Sequence, residues 1–286
     1  MNELTRTEMS SNRAQTPHTL LLLSRFLLPI ENRPATEAPS AWSKTARWLP
    51  LWGLAIGILY AIIYRGAWKW FGEYQHLRLL PPVALLIADF GFFGYRQLAA
   101  AVSLFDRRSP GSPAAGLTLP ATLALLLIVL LKFAMLVVLP AGAVIWPADW
   151  RQHLGPLYPA VIYRPLVLMP LWGRWAMMLA LCIGRISPEG SDRLRHMASG
   201  ARLAVIIGWW SAIALLTVAY SSATLNHLAY GILISLAVLL ATYLTSFTLA
   251  RRHGGQNETT VAATGLAGEL ALLIFYLPVA RAIYWY

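Results

Sequence analysis

The sequence predicts an all-α fold, a polytopic transmembrane helix bundle with about six or seven spans. Three observations carry that prediction. Hydrophobic residues fill 58% of 286 positions and charged residues only 12%, with a mean hydropathy of +0.57. A soluble domain of this size needs far more charge to wet its surface. The apolar residues fall in runs of about 17–25, the length that crosses a hydrocarbon core of about 30 Å. Inside that core the backbone must bond to itself, which leaves helices or closed barrels, and the short alternating segments of a barrel are not visible.

The elements follow in order. Residues 1–47 form a polar, interfacial N-terminal segment ahead of a single bundle domain over 48–286. Its apolar stretch, 19–30, is broken by Ser24 and Arg25 and is too short to span. No small-residue cleavage site follows, so it reads as a surface-lying segment rather than a signal peptide. The first span is 48–64, opened by Arg47 and Trp48 at the interface. The second, 79–101, is weaker and carries Asp89 and several glycines. The third, 117–138, contains Lys132, and a polar stretch with Trp146, Asp149, Trp150 and Arg151 comes after it. The fourth, 164–183, contains Arg174 and ends on Cys182, the single cysteine, which reads as a buried, inert thiol. The fifth and sixth are 203–220 and 228–250. The last, 262–280, holds Glu269 in its first half and leads to Tyr284, Trp285 and Tyr286. Between the second and third spans, residues 109–116 (SPGSPAAG) make a turn-rich loop.

The net charge of +11 is distributed as membrane topology demands rather than as a nucleic-acid surface, and no nucleic-acid module is present. Arginines and lysines collect before the first span, after the second (Arg96, Arg107, Arg108), after the fourth (Arg185, Arg193, Arg195, Arg202) and after the sixth (Arg251, Arg252). The alternate connections are poorer, with Arg65, Lys69 and Arg78 as the exception. The basic loops and the N-terminus are therefore expected on the cytoplasmic side of the inner membrane, meeting anionic lipid head groups.

Four ionisable residues stand inside predicted spans: Asp89, Lys132, Arg174 and Glu269. Each costs about 2.5–3.5 kcal/mol at the centre of a spanning helix, so each needs a partner or a task. Snorkelling or pairing within the bundle is the bland account of any one of them. Taken together they suggest a polar cavity for an anionic ligand or a metal–phosphate group. Near the sixth span, Arg251-Arg-His-Gly-Gly-Gln-Asn-Glu258 leaves a helix through Gly254 and Gly255. Backbone N–H groups after such a break can cradle phosphate, and glycine ending a helix explains the same pattern.

The order of features resembles cobalamin synthase, the adenosylcobinamide-GDP ribazoletransferase family. The elements are LLLLSRFLLP at 20–29, LPLWGLAIG at 49–57, the lysine-bearing LLKFAML at 130–136, GRWAMM at 173–178, PEG at 188–190, GGQ at 254–256 and GEL at 268–270. They run in family order over nearly the whole chain. The resemblance implies a membrane enzyme that joins α-ribazole, or its 5′-phosphate, to adenosylcobinamide-GDP and releases GMP. It also implies Mg²⁺, which neutralises the diphosphate, held by carboxylates. On that reading Asp89, Glu258 and Glu269 are catalytic and bind the metal. Lys132, Arg174, Arg252, Gly254 and Gly255 bind substrate phosphates. The partners are the corrinoid nucleotide, the ribazole and the lipid bilayer, with a second copy or other corrinoid-assembly proteins left open.

The sequence also departs from the family. The acidic signature H-x-D-G-L-A-D-T-x-D-G is replaced at 88–97 by ADFGFFGYRQ, in which Asp89 is the single acid. No acid or arginine stands at 112–118, where M-K-D-S-R-x-G is expected, and Thr-Gly-Asp becomes Asn257-Glu258-Thr259. A catalytically inactive relative, acting as a membrane scaffold or corrinoid-binding partner, is the alternative expectation.

Overall fold

The computed structural model describes residues 39–71, 77–106, 117–139, 162–221 and 227–284. The expectations for the N-terminal apolar stretch, the 109–116 loop, the Trp146–Arg151 segment and the final two aromatics lie outside these residues. Ten α-helices and one π-helical turn make up the described fold. They are α1 (Pro39–Arg47), α2 (Leu49–Phe71), α3 (Leu80–Ala88), the π-turn (Asp89–Phe93), α4 (Tyr95–Ser103) and α5 (Leu119–Val137). After them come α6 (Tyr163–Ala180), α7 (Asp192–Gly200), α8 (Leu203–Ser221), α9 (Leu228–Arg252) and α10 (Glu258–Tyr284). The fold is an all-α polytopic bundle.

Among the described residues α2, α5, α8, α9 and α10 are each long and apolar enough to cross a bilayer. A sixth span results if α3, the π-turn and α4 count as one, although they bend by 78°. The predicted second span is thus a broken one. At the bend Gly94 N donates to Asp89 O at 2.6 Å, closing a wide turn in place of the α-helical pattern, and a helix breaks readily at such a π-turn.

The predicted fourth span is shorter than expected and quite different in surroundings. In α6 every residue from Arg164 to Ala180 is buried, two prolines and two arginines included. It runs the length of the bundle, since Arg164 at its start donates to Tyr220 O at the end of α8, 2.7 Å away. Just past its other end Ile183 O accepts from Gln256 Nε2 at 3.2 Å, ahead of α10. The flanking α2 approaches it through Gly53 and Gly57. A Cβ on Gly57 would lie 2.5 Å from Val167 O, and one on Gly53 2.5 Å from Pro170 O. Two small residues four apart leave a groove in α2 that takes the backbone of α6.

Outward faces tell the opposite story. Leu119, Leu127, Leu130, Leu215, Leu233 and Leu240 are well exposed, as side chains facing acyl chains are. The described basic connections after α6 and α9 meet at one end of the bundle, where Gln256 pairs with Ile186. There α1 lies against α7, with Gly200 so close to the Ser43 backbone that no Cβ fits. Trp209 Nε1 donates to Arg47 O at 2.9 Å, tying α8 to the end of α1. Cys182 is not the buried thiol expected: α6 ends at Ala180, and the cysteine is exposed in the turn that follows, beside Gly184 and Arg185.

Candidate functional site

The intramembrane charges converge. Lys132 Nζ, delivered by α5, lies 2.5 Å from Asp89 Oδ2 and 2.7 Å from Glu269 Oε2. Arg174 Nη1, from α6, lies 3.6 Å from Glu269 Oε1. Tyr60 on α2 donates its hydroxyl to Asp89 Oδ1. Arg174 Nη2 donates to Phe93 O at 2.8 Å, satisfying the carbonyl that ends the π-turn. All five side chains are buried. Two acids against two bases make the group formally neutral, which is how charges persist away from water.

Glycines shape the site around these groups. A Cβ on Gly173 would sit 2.5 Å from Glu269 Cγ, so the absence of a side chain on α6 admits the glutamate. Gly94 does the same for Asp89, whose Oδ1 would be 2.7 Å from an added Cβ. Gly265 on α10 leaves room for Gln97 and Met177, which meet at 3.7 Å between Nε2 and Sδ.

One face of α10 connects this cluster to an open cleft. Glu258, Ala262, Gly265 and Glu269 recur at four- and three-residue steps and so share a side of the helix. At the basic end that face borders a cleft of about 440 Å³ whose lining includes Arg96, Gln97, Arg174, Met177, Arg193 and Glu258. Arg96 comes from α4, Arg193 from α7 and Arg174 from α6, where it also reaches the buried cluster. Glu258 Oε1 accepts from Ser191 Oγ, the residue that caps α7. Two buried polar atoms in the lining, Gln97 Oε1 and Arg174 Nε, have no hydrogen-bond partner among the described residues. Guanidinium groups converging on one concavity are suited to phosphate or carboxylate oxygens, which their forked N–H groups match in pairs.

The structure corrects the expected ligand set in three places. Asp89, Glu258 and Glu269 do not form one metal cage. Glu258 stands eleven residues before Glu269 on one helix, about 16 Å at 1.5 Å per residue. Asp89 and Glu269 meet, but Lys132 occupies the space between them. Among the described residues no group of three His, Cys, Asp or Glu side chains could hold a metal ion. The donor set therefore does not fit the carboxylate-held Mg²⁺ that the resemblance implies. Arg252 is exposed at the end of α9, outside the cleft lining. Gly254 and Gly255 close the end of α9, and the Gly255 N–H is already engaged there. Gly255 N donates to Ala250 O at 2.8 Å, the bond that closes a left-handed helix end, with Gly254 at φ +66°. The chain then pairs Ile186 with Gln256 in an isolated bridge.

Arg96, Arg193, Tyr60 and Gln97 were not singled out by sequence. The two arginines read as topology-setting charges, and an uncharged Tyr or Gln inside a span raises no alarm. Tyr60 had a signal nonetheless: Gly53, Gly57, Tyr60 and Tyr64 recur along one buried stripe of α2.

The family model described as cobalamin-5-phosphate synthase matches residues 117–277, a segment that contains Lys132, Arg174, Glu258 and Glu269. Neither the curated proteins nor the solved structures give a match. With more than half of its length matched, the chain belongs to the cobalamin-5-phosphate synthase family and so to the final assembly step of cobalamin synthesis.

Proposed function

We propose that the chain acts as an adenosylcobinamide-GDP ribazoletransferase in the cytoplasmic membrane, with its basic end facing the cytoplasm and its phosphate-bearing substrate held in the arginine-lined cleft. The observation that supports this reading is the meeting of Arg96, Arg174 and Arg193 with Glu258 in one concavity, all but Arg96 within the matched family segment. A ribazole oxygen attacks the cobinamide-side phosphorus of the diphosphate. A new P–O bond forms, the bond to GMP breaks, and the hydroxyl proton must go to a base. Glu258 is the one carboxylate among the described lining residues and takes that role. The guanidinium groups stabilise the charge that accumulates on the transferring phosphoryl oxygens and the leaving GMP.

A second reading, binding without turnover, draws on a different observation. Lys132 and Arg174 together already neutralise Asp89 and Glu269, so neither carboxylate is left to organise a transfer. One experiment separates the two. The purified chain, in detergent, is given adenosylcobinamide-GDP with α-ribazole or its 5′-phosphate, and released GMP and bound corrinoid are both measured. The transferase reading expects GMP release, lowered about a hundredfold or more by Glu258→Ala through loss of the proton acceptor. Corrinoid binding without any GMP would favour the second reading. Folded protein showing neither ends both.

A further inference from the structure

Among the described residues the cleft has the charge of a cation-rich anion site and no cluster of metal-binding side chains. Its described lining carries three arginines and one glutamate, a net charge of +2. That glutamate is engaged by the Ser191 hydroxyl. Asp192, beside Ser191, is paired with Arg195, and Asp89 and Glu269 are held by Lys132 and Arg174. Mg²⁺ binds hard oxygen ligands in a near-octahedral shell and in phosphate enzymes is held to the protein by one or two carboxylates. A divalent ion entering here would face guanidinium groups in a partly buried setting, where like charges repel strongly. A phosphate dianion matches the same field. Arg174 keeps one donor unspent: Nη2 donates to Phe93 O and Nη1 to Met177 Sδ, but its buried Nε has no hydrogen-bond partner among the described residues. The unmatched atom of Gln97, also buried, is the acceptor Oε1, which suits a ligand hydroxyl rather than a phosphate oxygen.

We infer that this cleft neutralises its phosphate ligand with arginines alone, so that ligand binding needs no divalent cation. The inference rests on the cleft being the substrate site, and Arg174 is the group that carries it, because it joins the cleft to the buried cluster. The ligand class is an organic phosphate monoester or a diphosphate diester. A lipid phosphate could supply the same chemistry at this depth, so the experiment includes it.

Full-length protein in neutral detergent is titrated with α-ribazole 5′-phosphate and with adenosylcobinamide-GDP, at matched ionic strength, in chelator and then in excess magnesium chloride. At least one ligand is expected to bind with a Kd that changes less than about twofold between the two conditions. Arg174→Gln and Arg96→Gln should each raise that Kd about tenfold or more, through loss of a charge-assisted hydrogen bond. Arg251→Gln, on the exposed end of α9, should leave it unchanged. Arg96 is only partly buried and outside the buried cluster, so its variant keeps the test valid where Arg174→Gln unfolds. Binding at least tenfold tighter with magnesium would overturn the inference while sparing the substrate-site reading. Binding that ignores both arginine variants would overturn the inference and locate the ligand elsewhere. Loss of all binding, or competition by phosphatidylglycerol micelles with no binding of either soluble phosphate, would remove the substrate-site reading and the inference with it.

Discussion

Lys132 is the residue on which the buried cluster turns. Its ammonium is fully buried and lies within 2.7 Å of both Asp89 and Glu269. Removing it leaves Asp89 without a cation and Glu269 with only the looser Arg174 contact at 3.6 Å. Breaking a buried pair by deleting one partner costs about 3–5 kcal/mol, because the remaining charge is stranded. Lys132→Ala should therefore lower the Tm in detergent sharply. The double variant Lys132→Met, Asp89→Asn should recover most of the loss, since it leaves Glu269 paired with Arg174. A double variant no more stable than Lys132→Ala would show that the cluster is not held by charge compensation. The same energetics explain what was legible. Asp89, Lys132, Arg174 and Glu269 stood out because a charge inside an apolar run has to be accounted for. Glu258 did not declare its distance from Glu269, because both sit on the same side of a helix and the metal role was assigned by family pattern. Measured along that helix, the interval of eleven residues rules out a shared ion.

At the scale of elements, the approach of α2 to α6 depends on two hydrogens. Gly53 and Gly57 face the α6 backbone at distances where a Cβ has no space, whereas Gly66 on the same helix has nothing within 4 Å. Gly57→Val should push the helices apart and cost about 1–3 kcal/mol, the usual penalty for overfilling a packed contact. Gly66→Ala should be neutral or stabilising by up to about 1 kcal/mol, from helix propensity. Thermal melts of the two variants side by side test this, and equal behaviour would refute the close-contact account. The glycine pair was visible in the sequence, but its partner was not, because a small-residue groove accepts any helix of suitable shape. The bend in the second span was hidden for a related reason. Asp89, Gly91 and Gly94 mark a weak helix, yet the 78° angle depends on Arg174 and Tyr60, which come from other helices to hold the carbonyl and carboxylate at the turn. Likewise α6 reads as an ordinary span until its neighbours α2, α8 and α10 cover it on all sides.

At the scale of the whole molecule, the charge asymmetry that the sequence displays becomes one end of a bundle. The turn after α6, helix α7, the end of α9 and the start of α10 are joined there by the Ile186–Gln256 bridge and the Ser191–Glu258 contact. Arg185, Arg193, Arg195, Arg251 and Arg252 belong to these segments, and Arg202 follows α7 directly. Basic connections remain on the cytoplasmic side during insertion, so this end, with the cleft, is expected to face the cell interior. Cys182 supplies a probe that needs no mutation, because it is the single cysteine of the chain and is exposed in that same turn. A membrane-impermeant maleimide should label it in inverted membrane vesicles and leave it unlabelled in intact spheroplasts, with detergent-solubilised protein setting the full signal. On the proposed reading, the cleft would then receive its phosphate-bearing substrate from the cytoplasmic side. Labelling in spheroplasts alone would invert the bundle, place the arginines on the outer face, and leave a cytoplasmic diphosphate no route to them.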